Sequence, residues 1–205
     1  MELVRVTVAG WAAATLAVGA VSTGCSTGTK TAAPSSGATS SSSAASSSGS
    51  GTAAPAQPTD YSSLLIKASD IGGDLSARQP PTLNPNGASG VAQLFANADN
   101  SRRIRDTILI VADPATAAAG LDNTKTNYAG KVSGSWQPVD VGSNGALISG
   151  TSPDNSQAIT VLLFTEGKAL VNLEFDSAPN DPIDADVAKD IGRKQDAAVK
   201  KGLPS

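Results

Sequence analysis

Cys25 is the residue whose chemistry is easiest to interpret, because it is the only cysteine of the chain and ends an apolar stretch, Val6–Cys25. Arg5 precedes that stretch, and three small residues lead into the cysteine. A short positive flank, an apolar middle and a small-residue end are typical of a secretory signal peptide. The stretch is short and rich in alanine and glycine, whereas a membrane-spanning helix needs about 20 strongly apolar residues. We therefore expect the protein to be exported.

The position of the cysteine matches a bacterial lipobox, in which the preceding peptide is removed and the thiol is acylated. The sequence thus predicts a lipoprotein signal peptide over residues 1–24. It also predicts that Cys25 carries acyl chains such as palmitate. Ser22 departs from the pattern, since an aliphatic residue usually stands three positions before the cysteine. The alternative is an ordinary signal peptide cleaved near Ala20, which would leave a free thiol. An unpaired thiol is a liability in an oxidising compartment, and this favours acylation.

The segment after the cysteine, up to Asp60, consists almost entirely of Ser, Thr, Ala, Gly and Pro. Such a composition has too little apolar surface to offset the entropy of ordering it, so residues 25–60 are predicted to form a disordered tether. A flexible chain of this length reaches about 30–35 Å. Residues 61–205 remain, about 145 residues, which is enough for one domain with a single core.

Composition excludes several classes of function. The chain has 205 residues, no histidine and a net charge of −3. Without histidine and with one cysteine, the usual ligands for zinc, copper and haem and the common histidine-based catalytic dyads are missing. We therefore expect no cofactor, no metal site, no catalytic residues and no enzyme activity. The mild charge argues against nucleic acid as a partner and against strong attraction to an anionic membrane.

Two amphipathic segments and several alternating segments give the predicted architecture. Asp113-Pro114 and Asp181-Pro182 each supply an N-cap acceptor followed by a proline, which is typical of a helix start. The segments between and before these helices alternate with period two, which indicates antiparallel strands: Val91–Ala96, Arg103–Val111, Trp136–Val141, Ala146–Gly150, Gln157–Thr165 and Lys168–Asp176. The second helix carries an apolar stripe on one face: Ile183, Val187, Ile191 and Ala198. The sequence predicts an α+β domain with a sheet of about five to six strands, covered by two helices on one face.

Three groups of side chains could form a site. Arg102, Arg103 and Arg105 could contact an anion or a lipid headgroup, although a solvated strand face explains them better. Tyr128 and Trp136 could line a ligand surface, although core or rim packing is the simpler interpretation. The third group is acidic and could suggest calcium, but helix capping explains the same residues: Asp181, Asp184 and Asp186.

Several short motifs make the chain resemble the small surface lipoproteins of mycobacteria and related actinobacteria. They are Leu64-Leu65-Ile66, Ala68-Ser69-Asp70-Ile71, Ala112-Asp113-Pro114-Ala115 and Val139-Asp140-Val141-Gly142. Some of those lipoproteins adopt a PsbP-like α+β sandwich, and the order of elements here is compatible with it. The resemblance implies an envelope protein that is often glycosylated, here on the Ser and Thr hydroxyls of the tether.

These observations predict a non-enzymatic binding module, anchored in the cell membrane through Cys25 and exposed on its extracytoplasmic face. Its partners would be membrane lipid, through the acyl anchor, and an envelope protein or lipid. The alternative is a lipid or glycolipid carrier whose sheet and helices enclose acyl chains.

Overall fold

The computed structural model describes residues 59–203. The predicted signal peptide, Cys25 and all but the last two residues of the predicted tether lie outside the described residues. Three helices and eight strands are present in the described part, with two short 3-10 turns at Ser62–Leu64 and Pro85–Gly87. The helices are α1 (Ala68–Ile71), α2 (Pro114–Asn127) and α3 (Ala185–Gly202). The strands are β1 (Ser76–Ala77), β2 (Thr82–Leu83), β3 (Gly90–Ala96), β4 (Arg103–Ile110), β5 (Gln137–Pro138), β6 (Ser143–Thr151), β7 (Ala158–Glu166) and β8 (Ala169–Ser177).

The strands form one antiparallel sheet in the order β1-β3-β4-β8-β7-β6-β5, and β2 pairs with β3 beside β1. Five strands are long, and the two-residue strands β1, β2 and β5 pair along its margins. The predicted α+β class with an antiparallel sheet is confirmed.

The predicted position of the helices is wrong, because α2 and α3 pack on opposite faces of the sheet. On β7, Leu162 belongs to the core beneath α3, whereas its neighbour Leu163 belongs to the core beneath α2. Successive side chains of a strand point to opposite faces, so these two cores lie on either side of the sheet. The physical reason is that β7 is apolar on both faces, with Leu162 and Phe164 on one side and Val161 and Leu163 on the other, and each face needs its own cover.

The α3 face carries the larger core. Its buried residues come from the turns before α1, five strands and α3, with Phe95, Phe164 and Phe175 among the largest fully buried side chains. The α2 face carries a smaller cluster around Leu121 and Tyr128. The central strand β7 is therefore buried on both faces. Strands β3 and β4 contribute buried residues to the core of the α3 face but none to the cluster of the α2 face.

The N-cap of α2 is confirmed, whereas α3 begins later than its sequence suggests. The Asp113 carboxylate accepts the backbone N–H of Thr116 at 2.7 Å, with Pro114 as the first helical residue. In α3, the N-cap is Asp184, which accepts the N–H of Asp186 at 2.7 Å. Asp181 was predicted to start this helix, but its carboxylate binds Arg102 instead.

No helix among residues 59–203 combines the length and apolar character needed to cross a membrane.

Candidate binding cleft

An apolar cleft of about 180 Å³ opens at the N-terminal end of α3, on the face of the sheet that this helix covers. Four parts of the chain meet there: the end of α1, the loop after it, the strands β4 and β8, and α3 with the segment before it. Its walls are mostly aliphatic, with one phenylalanine ring: Ile71, Leu75, Ile104, Phe175, Ile183, Val187 and Ile191.

The strands and helix contribute the rigid part of this cleft. Ile104 and Phe175 are cross-strand partners on β4 and β8 and are 2% and 0% exposed. Ile191 lies in the second turn of α3 and is 3% exposed. These three side chains belong to the main core, so the cleft is a local opening of that core towards solvent.

The outer wall is formed by the loop after α1. Gly72 and Gly73 have φ angles of 82° and 69°, a left-handed conformation that glycine adopts without steric cost. They turn the chain sharply after Ile71, so that Leu75 returns to the cleft. This wall is a loop, without a long strand or helix of its own.

The mouth of the cleft is charged. Arg102 donates two hydrogen bonds to Asp181, from Nε at 3.1 Å and from Nη2 at 2.5 Å. The hydrogen bond to Asp181 raises the pKa of Arg102, and the charge of Asp74 raises it further. Arg102 and Asp74 therefore line an otherwise apolar site, and Asp181 binds the guanidinium beside it. The arrangement suits an apolar group that is attached to a polar or cationic remainder.

Val187 makes the cleft accessible. It is 50% exposed, which is unusual for a large aliphatic side chain in this domain, where the other exposed example is Leu83 at 37%. An apolar cavity of about 150 Å³ can hold one benzene molecule, so this cleft is large enough for one ring or one branched side chain. Ile183, Val187 and Ile191 belong to the predicted apolar stripe of the helix, and that prediction missed the opening beside them.

The three arginines singled out in the sequence do not form one basic site. Each guanidinium pairs with a different carboxylate: Arg102 with Asp181, Arg103 with Asp176 at 3.2 Å, and Arg105 with Glu174 at 2.7 Å. Arg103 and Arg105 lie on the α2 face of the sheet, and Arg102 lies at the cleft. Their charge is largely neutralised within the domain, which agrees with the simpler interpretation of a solvated strand face.

Tyr128 and Trp136 do meet, in an edge-to-face contact with ring centroids 6.2 Å apart. They line an open groove of about 500 Å³ on the α2 face, together with the last turn of α2 and Ile148. The Tyr128 hydroxyl donates to Glu174 at 2.6 Å, and burial is the main reason why the pKa of Tyr128 is raised. Both rings also contact the smaller core, so packing accounts for their position.

The acidic residues before and within α3 have separate structural roles. Asp181 pairs with Arg102, Asp184 caps the helix, and Asp186 pairs with Lys189. Within residues 59–203 no cluster of three or more acidic, cysteine or histidine side chains could hold a metal ion.

Asp106 is the buried titratable group of the α3 face. It is 0% exposed, and neither carboxyl oxygen has a hydrogen-bond partner among the described residues. It lies on β4 between Ile104 and Ile108, with Gln93 and Leu173 as its cross-strand neighbours. Burial raises the pKa of Asp106 to about 8, so it is protonated at neutral pH. Ile104, two residues away, lines the cleft, but Asp106 does not.

The chain resembles a known protein in its fold but not in its sequence. No family model matches the sequence, and no curated protein matches it. The structure is similar to the crystal structure of the extracellular domain of PknH from Mycobacterium tuberculosis, with a TM-score of 0.51. The match covers 71% of this chain and 98% of that domain, at 12% sequence identity. The two domains share a fold.

Proposed function

We propose that the protein is a membrane-anchored, extracytoplasmic binding module of the cell envelope, and that the apolar cleft at the start of α3 holds its partner. The observation that carries this proposal is the cleft itself, an opening into the main core with Val187 half exposed at its edge. A concave apolar site with a few polar groups at its mouth is the usual form of a binding site. The cleft would take one ring or branched apolar group of an envelope protein.

The shared fold supports an extracytoplasmic role, since the similar solved structure is an extracellular domain. The predicted signal peptide and Cys25 supply the remaining part of the proposal, because export and acylation would place the domain on the outer face of the membrane. The cleft favours a binding module over a lipid carrier, since sites for larger ligands measure about 300–1,000 Å³.

A matched pair of substitutions tests the cleft. Val187→Asp places a charge at its edge, and the third position of a helix tolerates an acidic residue. Leu83→Asp makes the same kind of change at the other exposed aliphatic residue, on β2. We expect Val187→Asp to weaken binding of toluene, followed by NMR, about tenfold, which is about 1.4 kcal/mol. Leu83→Asp should leave the toluene affinity unchanged.

Equal toluene affinity in the wild-type protein and both variants would contradict the assignment of the cleft. Circular dichroism of each variant confirms that the fold is retained.

The anchor is tested separately. In the native host, wild-type protein should be found in the membrane fraction, and Cys25→Ala should release it or leave it as the uncleaved precursor, since two acyl chains are needed for stable retention. Equal amounts of both forms in the soluble fraction would contradict acylation and would leave the cleft experiment unaffected.

The predicted glycosylation has its own test. Protein made in the native host should be heavier than protein made in a bacterium without O-mannosylation, after the acyl group is taken into account. Equal masses would contradict glycosylation of the tether.

A further inference from the structure

A second groove, of about 650 Å³, lies between the turns around α1 and the C-terminal half of α3. We call it the basic groove, because Lys67, Lys194 and Lys201 line it together with one carboxylate, Asp70. It is distinct from the apolar cleft, which opens at the other end of α3. Three ammonium groups around one groove are notable in a chain whose net charge is −3.

The lysines of the basic groove are only partly neutralised. Within residues 59–203, Lys67 and Lys201 form no ion pair, and both are exposed. Lys194 pairs with Asp190 at 2.9 Å and also donates to the Asp70 backbone carbonyl at 2.9 Å. The Asp70 side chain accepts the backbone N–H of Lys67 at 2.9 Å. The groove therefore keeps an excess of positive charge.

The floor of the groove is apolar. It includes Leu65, which is half-buried, and Ala198 on α3. Long lysine side chains can lay their aliphatic stems along such a floor and keep the ammonium groups at the rim. An apolar floor with ammonium groups above it matches the boundary between phospholipid headgroups and acyl chains.

The position of the groove in the chain supports the same partner. Ser63 lines it, and the described part of the chain starts four residues earlier, at Thr59. The 58 residues before that point, which include Cys25, are therefore connected to the domain beside the basic groove. A contact that is weak on its own becomes significant when a linker holds the two surfaces at high effective concentration.

We infer that the basic groove docks the domain on the anionic phospholipid headgroups of a membrane. The net charge of −3 opposes a strong attraction of the whole domain to such a surface, whereas the basic groove provides a local and weaker one. The inference does not depend on the apolar cleft. Its linker argument rests on the proposed anchor at Cys25, whereas the charge of the groove and the test below do not.

The test measures binding of the full chain, carrying Cys25→Ala so that no lipid is attached, to sedimented vesicles. One set of vesicles contains phosphatidylcholine alone, and the other contains phosphatidylcholine with 30% phosphatidylglycerol. The groove variant is Lys67→Gln/Lys194→Gln/Lys201→Gln. The control variant removes three lysines elsewhere: Lys125→Gln/Lys131→Gln/Lys168→Gln. The segment Val6–Cys25 contributes equally in all samples.

We expect the chain with Cys25→Ala alone and the control variant to bind the anionic vesicles more tightly than the neutral ones. The ratio of the two affinities should fall as the salt concentration rises. The groove variant should lose most of this difference, because each lysine near an anionic surface contributes about a factor of five. A chain that shows no preference for anionic vesicles would overturn the inference. So would a control variant that loses as much binding as the groove variant.

Discussion

The two faces of the sheet differ in the size of the hydrophobic core that covers them. On the α3 face a continuous core runs from the turns before α1 across to β6 and encloses polar groups completely, Asp106 and Gln195 among them. On the α2 face a small cluster lies beside a ladder of half-exposed ion pairs, Arg103 with Asp176 and Arg105 with Glu174. Asp106 and Gln195 thus have no access to water, whereas the side chains of Arg103 and Arg105 are 35% and 53% exposed.

This difference predicts where substitutions matter. An enclosed polar group keeps its full desolvation cost and depends on every hydrogen bond it makes. A half-exposed ion pair in water is worth little. The α3 face should therefore show large effects of either sign, and the α2 face should show small ones. The apolar cleft opens on the first of these faces.

The largest effect is expected at Asp106. In the unfolded chain this carboxyl releases its proton near its ordinary pKa of 3.8, whereas in the folded protein it keeps the proton until about pH 8. The unfolded state thus binds fewer protons over this range, and the free energy of unfolding should fall as the pH rises from about 4 to about 8. Asp106→Leu should remove this slope and stabilise the protein at pH 8 by on the order of 3–5 kcal/mol.

Urea unfolding followed by circular dichroism from pH 4 to 8.5 measures this effect. Asp106→Asn removes the titration while keeping the shape, and Asp140→Asn is the control at an exposed carboxylate. A wild-type stability that does not change between pH 4 and 8 would show that Asp106 is not buried as described.

The two faces also differ in how far their side-chain hydrogen bonds are shielded from water. The Gln195 side chain accepts the backbone N–H of Ile66 at 3.0 Å and donates to the carbonyl of Leu64 at 2.6 Å, which fixes the turns before α1 to α3. Gln195→Leu leaves both backbone groups unpaired and should destabilise the protein by about 2–4 kcal/mol. On the other face, Tyr128→Phe removes a hydroxyl whose partners remain in reach of water, and should cost about 1 kcal/mol. Urea unfolding of both variants measures these losses in the free energy of unfolding. Equal losses for the two variants would contradict the distinction between the faces.

Two glycines allow the same substitution on both helices. A Cβ added at Gly192 of α3 would lie 2.2 Å from Leu162 Cδ2, whereas one at Gly120 of α2 would lie 3.2 Å from Leu170 Cδ2. Replacing a helical glycine by alanine favours the helix by about 1 kcal/mol. Gly120→Ala should therefore be neutral or slightly stabilising, while Gly192→Ala should destabilise by about 1–2 kcal/mol because Leu162 must shift in a full core. The midpoint of thermal unfolding compares them, and a stabilised Gly192→Ala would mean that α3 packs loosely.

The smallest effect is expected for the ion pairs of the α2 face. Arg105→Gln breaks the contact with Glu174, in which the arginine side chain is 53% exposed. Its cost should be below about 1 kcal/mol and should vanish in high salt, since exposed pairs are screened. Unfolding at low and high salt tests this. A loss above 2 kcal/mol that persists in salt would place this pair in a water-free site.

Much of this architecture follows from local sequence. Asp113-Pro114 fixes the start of α2, and β3, β4, β7 and β8 were predicted to within about one or two residues, an error typical of strand ends. The predicted strand Trp136–Val141 is reduced to Gln137–Pro138, because proline cannot donate to a ladder and confines the segment to the margin of the sheet.

The side on which each helix packs did not follow from the helices themselves, since an amphipathic helix only requires an apolar surface. The informative signal was the unbroken apolar run Val161–Phe164 in β7, which indicates a strand buried on both faces. The late start of α3 was missed because Asp181 and Asp184 are both good caps, and only the distant Arg102 decides between them. The cleft was missed for a similar reason, since four separated segments form it. The signal peptide, Cys25 and the tether stay predictions.

The most direct test of the proposed cleft is a titration of the protein with toluene, followed in the NMR spectrum of its isoleucine methyl groups. Four isoleucines line the cleft: Ile71, Ile104, Ile183 and Ile191. Ile148 lies instead in the open groove beside Tyr128 and Trp136, on the opposite face of the sheet. We predict saturable shifts of the four cleft methyl groups and none at Ile148. Shifts at Ile148 without shifts in the cleft, or no saturable shift at any isoleucine, would contradict the assignment of this cleft as the binding site.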